Sequence, residues 1–133
     1  MLGAKIRAKS INVELDMADD LPHAYAVGGE LNQVWMNLID NALDASPPHG
    51  RVSVTGGFEL GRVVIRIADN GAGIPAEIRS RIFDPFFTTK GVGTGTGLGL
   101  DIVRRLLKQH DGDVTVESCL GHTEFEVRLP IEP

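Results

Sequence analysis

Cysteine is almost missing from this chain: Cys119 is the single one among 133 residues. That excludes an internal disulfide and suits a reducing compartment. Long apolar runs are missing too. Nothing approaches the roughly 18 to 20 consecutive apolar residues of a membrane span, and the first ten residues, Met1 to Ser10, lack the apolar stretch of a signal peptide. Positive charge is in short supply, with 13 Lys and Arg against 18 Asp and Glu for a formal net charge of -5. This argues against nucleic acid and against direct contact with an anionic membrane, while leaving room for a local phosphate site. His23, His49, His110 and His122 are scattered, and with Cys119 they make no zinc-site spacing. The GxSxG elbow of a serine hydrolase does not occur. These absences describe a soluble, intracellular chain whose length suits one domain over residues 1–133. Glycine is what the sequence has in excess: 16 residues, about 12%, against a usual value of roughly 7%. Seven of them fall between Gly71 and Gly99, so the surplus is local.

Hydrophobic periodicity outlines the elements. Leu31, Val34, Trp35, Leu38, Ile39 and Ala42 recur at steps of three and four and predict a helix over Glu30 to Ala45, opened by Gly28-Gly29 and closed by Pro47-Pro48. Arg51 to Thr55 and Arg62 to Ala68 alternate as strands and read as a hairpin around Gly56-Gly57 and Gly61. A short helix is expected from Pro75. A longer one runs from about Gly97 to His110, with Leu98, Ile102, Val103, Leu106 and Leu107 inward, Arg104, Arg105 and Lys108 outward, and Gly112 ending it. Asp113 to Glu117 and Thr123 to Leu129 form a last strand pair, and Ile11 to Leu15 suggests an edge strand. Together these predict an α+β fold: a two-layer sandwich with a mostly antiparallel sheet packed against helices.

Three constellations stand out. On the first long helix, Glu30, Asn37, Asn41 and Asp44 share a stripe about 60° wide beside the apolar face. A solvated helix face has the same pattern, but Asn is a poor helix former with no reason to repeat at i, i+4 on such a face. A neutral amide oxygen is a suitable ligand for Mg²⁺, which typically takes about one or two protein oxygens and completes its shell with water and phosphates. Asp69-Asn70-Gly71-Ala72-Gly73 follows a strand directly. It reads as an ordinary turn or as a buried carboxylate acceptor beside glycines that admit a flat ligand. An ionised carboxylate only accepts, so it favours the amino group of adenine over the carbonyl of guanine. Finally, Ile82 to Lys90 carries three phenylalanines and leads into glycine at every second position from Gly91 to Gly99. Such a run could be a linker, yet it opens straight into a helix, where free N–H groups suit a polyphosphate. Neither GxxxxGK(S/T) nor GxGxxG occurs, and the phenylalanines can anchor one end of a mobile lid.

In this order the motifs resemble the catalytic, ATP-binding domain of sensor histidine kinases, of a superfamily shared with DNA gyrase, mismatch-repair ATPases and a molecular chaperone. The likeness covers roughly 28–130. Asn-Leu-Ile-Asp-Asn-Ala at 37–42 resembles the N box, Asp69 to Gly73 the G1 box, Ile82 to Lys90 the F box and Gly95 to Leu100 the G2 box. Gly121 to Phe125 is similar to the entry of the last strand, whose threonine, here Thr123, helps hold adenine. The resemblance implies a sheet of about five strands under three helices. It also implies Asn41 on Mg²⁺, Asn37 near the phosphates with Asp44 beside them, and Asp69 on the adenine amino group. Gly71, Gly73, Ile74, Phe83 and Thr89 would line the nucleotide, Gly95, Thr96, Gly97, Leu98, Gly99 and Leu100 would form the lid, and Lys90 would reach the γ-phosphate.

Hydrolysing members of the superfamily carry a water-activating glutamate one helical turn before the metal-binding asparagine. Here that position is Asn37, which cannot act as a base, so slow hydrolysis and phosphoryl transfer are expected, with Asn37 and Lys90 as the catalytic pair. None of the four histidines suits a phosphoacceptor: His110 precedes Asp111 but ends a helix with no partner helix after it. The resemblance therefore implies a histidine on a separate helical hairpin, in the same parent protein or in trans, and a response regulator reached through the full kinase. It further implies a monomeric isolated domain, a homodimeric parent, and a cytoplasmic location compatible with a membrane-anchored parent. A non-catalytic ATP-sensing module and an anti-sigma-factor type serine kinase share the same site pattern.

Overall fold

The computed structural model describes residues 6–7, 10–17, 29–59, 61–84 and 99–130. Five strands form one sheet: β1 (Asn12–Met17), β2 (Arg51–Glu59), β3 (Arg62–Asp69), β4 (Asp113–Cys119) and β5 (His122–Pro130), in the order β1-β2-β3-β5-β4. Only β1 with β2 is parallel; the other three pairings are antiparallel, so the sheet is mixed as expected. Helices α1 (Gly29–Ala45) and α2 (Gly99–Gln109) and a 3-10 helix at Ala76–Arg81 complete the described elements. Among the described residues no helix is long and apolar enough to cross a membrane.

Strand parity decides which side is core. Val54, Ile67, Phe125 and Val116 form one cross-strand row, Ile65, Val127 and Val114 the next, and Val63 and Leu129 a third. These rows meet Val34, Leu38, Leu43, Val103 and Leu107 from the two helices in one apolar cluster. On the other side of the sheet, Arg66 pairs with Glu59 at 2.7 Å and Glu126 at 2.9 Å, and Arg128 pairs with Asp113 at 3.0 Å and with Glu126. Charged stems covering that side leave Val64 buried there without belonging to the core.

Several boundaries differ from the sequence reading. Strand β2 runs through Gly56-Gly57 as far as Glu59, because a ladder bonds through backbone: Gly56 pairs with Ile65 and Gly57 with Val64. The reversal falls instead at Gly61, where φ is +75°. Both last strands are longer than expected, β4 reaching Cys119 and β5 beginning at His122. The left-handed residue that ends α2 is Asp111, with φ of 58°, and not Gly112. Gly112 donates to Leu107 O at 2.7 Å and Asp111 to Lys108 O at 3.2 Å, the paired bonds of a Schellman cap. Glycine is still required one place on, since a Cβ at Gly112 would lie 2.6 Å from Arg128 O. In α2, Val103 and Leu107 are buried as expected, whereas Ile102 is only half-buried and stands apart from the core. Arg104, expected outward, lies with its guanidinium 5.4 Å from the centre of the Phe83 ring.

Candidate functional site

The site grows from the end of β3. Alternation carries Val63, Ile65 and Ile67 into the core and therefore carries Asp69, at the same parity, to the edge of that core with 4% exposure. One carboxylate oxygen, Oδ1, accepts the Gly71 N–H at 2.9 Å. Burial pushes the Asp69 carboxyl above its ordinary value, while the Gly71 N–H and the nearby His122 pull it back down. Directly opposite on β5 stands Thr123, also 4% exposed, and opposite that on β4 stands Ser118. Three adjacent strands thus place three polar side chains in one row beside apolar rows.

Close backbone approach brings the other pieces to this row. A Cβ at Gly71 would lie 2.3 Å from Ala45 O, so the turn after β3 sits against the C-terminal end of α1. Asn37, Asn41 and Asp44 lie on the same helix, whose C-terminal end this contact holds against the turn. Gly73, with φ of +89°, would place a Cβ 2.4 Å from Cys119 O, so the same turn also sits against β4. Besides any ligand these glycines admit, each lets the turn approach the chain's own backbone. Ile74 then donates its N–H to Ser118 Oγ at 2.7 Å. Asn70 ties the turn to β2, accepting the Arg51 N–H on Oδ1 at 2.8 Å.

Asn37, Asn41 and Asp44 are half-buried on α1, and neither Asn37 nor Asp44 lacks an interaction partner. Phe83 is a core residue, its ring edge-on to Phe125 at 6.3 Å between centroids, which suits the anchor expected of it. Ile74 and Leu100 pack partly against the core, and Gly99 opens α2. Thr89, Lys90, Gly95, Thr96, Gly97 and Leu98 lie outside the described residues, as do Phe86 and Phe87. Two residues that bind the site together were not singled out from sequence. Asn70 carries no signal beyond a common turn residue. Ser118 does: it is the polar member of an inward series with Val114 and Val116.

Residues 27–133 match the family described as histidine kinase-, DNA gyrase B-, and HSP90-like ATPase. The chain belongs to this family. Among curated relatives, Sporulation kinase E of Bacillus subtilis is 34% identical over 98% of this chain and 18% of its own length. Sensor kinase CckA of Brucella abortus is 38% identical over 98% of this chain and 15% of its own. The chain therefore spans less than a fifth of either relative. Among solved structures, the catalytic domain of histidine kinase ThkA superposes with a TM-score of 0.79 at 29% identity, covering 97% of this chain and 84% of that one. Full-length ShkA in complex with AMPPNP gives 0.81 at 32% identity, covering 97% of this chain and 27% of that one. The five-stranded mixed sheet is thus the histidine kinase catalytic-domain fold.

Proposed function

We propose that this chain is the catalytic, ATP-binding module of a sensor histidine kinase and transfers the γ-phosphoryl group of ATP to a histidine on a separate helical hairpin. The transfer breaks the bond between the γ-phosphorus and its bridging oxygen, forms a phosphorus–nitrogen bond and releases ADP. One observation carries the reading: Asp69, a buried carboxylate at a strand end, faces Thr123 across the ladder with one oxygen already held by Gly71. The other oxygen is left to accept from an exocyclic amino group. Relatives named as kinases and a structural neighbour solved with AMPPNP support ATP as the nucleotide.

Phosphoryl transfer requires alignment and charge neutralisation more than covalent chemistry. Asp69 and Thr123 hold the base, the α1 edge faces the phosphate end, and Asn37, lacking a basic side chain, leaves water unactivated. Asn41 fits Mg²⁺, because a half-buried neutral oxygen suits an ion that keeps most of its shell for water and phosphates. When bound, that ion would neutralise phosphate charge. Lys90 and the residues from Gly95 to Leu100 would add a cation and lid amides. The acceptor hairpin and, through it, a response regulator are the partners, in a parent protein expected to be a homodimer working in the cytoplasm.

The experiment is titration of the chain with ATP and GTP, comparing wild type with Asp69→Asn. The amide offers donors as well as an acceptor, so ATP binding should disappear. Affinity retained at the wild-type level would refute the assignment.

A further inference from the structure

The row Asp69, Thr123, Ser118 contains a hydrogen-bond relay whose direction matters. Ser118 Oγ accepts the Ile74 N–H at 2.7 Å and lies 2.8 Å from Thr123 Oγ1. Each hydroxyl has one hydrogen to give and can accept more than one. A relay that runs one way polarises every member: Ile74 N–H into Ser118, Ser118 O–H into Thr123, and the Thr123 hydrogen outward. The opposite order would turn Thr123 lone pairs away from Ser118, beside the Asp69 carboxylate directly across the ladder. Two acceptors would then stand side by side in a buried place, which is the less favourable arrangement.

We infer that Ser118 is a positioning residue that sets base specificity, by orienting the Thr123 hydroxyl as a donor next to the Asp69 acceptor. The inference rests on the adenine reading proposed above. An acceptor beside a donor matches an adenine edge, where an amino group adjoins the N1 lone pair, and opposes a guanine edge, where a carbonyl adjoins an N–H. Gly73 belongs to the device: a Cβ there would lie 2.4 Å from Cys119 O and 3.2 Å from Ser118 Oγ, so only glycine lets the turn deliver the Ile74 N–H to β4.

Binding of ATP and of 1-deaza-ATP, in which C–H replaces N1, tests this by a cycle between protein and ligand. Wild type should bind the deaza analogue about fivefold to tenfold more weakly than ATP, the worth of one hydrogen bond. Ser118→Ala should bind ATP about that much more weakly, and its ratio between the two ligands should fall to about one. Ser118→Thr, which keeps the hydroxyl, should restore the ratio. If Ser118→Ala fails to melt cooperatively, Ser118→Cys, a weak donor of similar size, replaces it with the same expected collapse. A variant that binds both ligands more weakly yet keeps the wild-type ratio would overturn the inference and leave the adenine site standing. A wild type indifferent to the N1 change, or preferring GTP, would instead overturn the adenine reading itself.

Discussion

At Asp69, folding and ligand binding make opposite demands on one carboxyl group. Burial raises its pKa, so the folded chain binds this proton more tightly than the unfolded chain does. Stability from this group is therefore greatest at acid pH and declines as pH rises through the window between the ordinary aspartate value and the raised one. On the adenine reading proposed above, ligand binding runs the other way, since the ionised form is the stronger acceptor for an amino group and carries no competing donor. Lowering pH through the same window should weaken ATP binding while this contribution to the stability of the free chain grows. Chemical denaturation and nucleotide titration at several pH values check both trends, and Asp69→Asn should flatten the first. The structure explains why such a group is tolerated: Gly71 supplies an N–H to one oxygen, and His122 lies close enough to offset part of the burial.

At the scale of elements, two glycine contacts hold the turn after β3 against α1 on one side and β4 on the other. Gly71→Ala would push a methyl group to 2.3 Å from Ala45 O and should destabilise the chain by about 2 kcal/mol or more. Gly57→Ala is the control: a Cβ there meets nothing within 4 Å, so stability should change by less than about 1 kcal/mol and in the favourable direction. Urea melts of the two variants should separate clearly. Phe83 links the segment before the glycine-rich run to the core through Phe125 and to α2 through Arg104. Phe83→Ala should cost about 3 kcal/mol by opening a cavity at the core margin. Much of this was legible. Helix α1, the last strand pair and the edge strand follow from apolar periods of 3.6 and 2. The continuation of β2 through Gly56-Gly57 was not, because glycine signals a turn locally while a long ladder partner on β3 overrides it.

As a whole molecule, the chain separates the polar row of Asp69, Thr123 and Ser118 from a charged sheet face. The Arg66 and Arg128 ion pairs are half-exposed and interlinked, so substitutions among them should alter stability by no more than about 1 kcal/mol and more at low salt than at high. Ligand should matter more. At a hundredfold excess over Kd, nucleotide should raise stability by about 2.7 kcal/mol, seen as a higher Tm that Asp69→Asn no longer shows. On the function proposed above, with Asn37 unable to act as a base, the isolated chain should release phosphate slowly, and a hairpin carrying an acceptor histidine should become labelled from γ-labelled ATP. Fast phosphate release by the chain alone, abolished by Asn41→Ala, would contradict this.

The sequence by itself determined most of the elements, because hydrophobic period and turn chemistry are local properties of residues, and the order of its motifs pointed to the family. Asn41, Asp69 and Thr123 could be named without coordinates. Only the tertiary structure decided which backbone atoms the glycines of the turn approach, and that Ser118 joins Asp69 and Thr123 in one row. Strand order and register are set by packing across the whole sheet, and that packing brings β3, β5 and β4 side by side although β4 lies more than forty residues after β3.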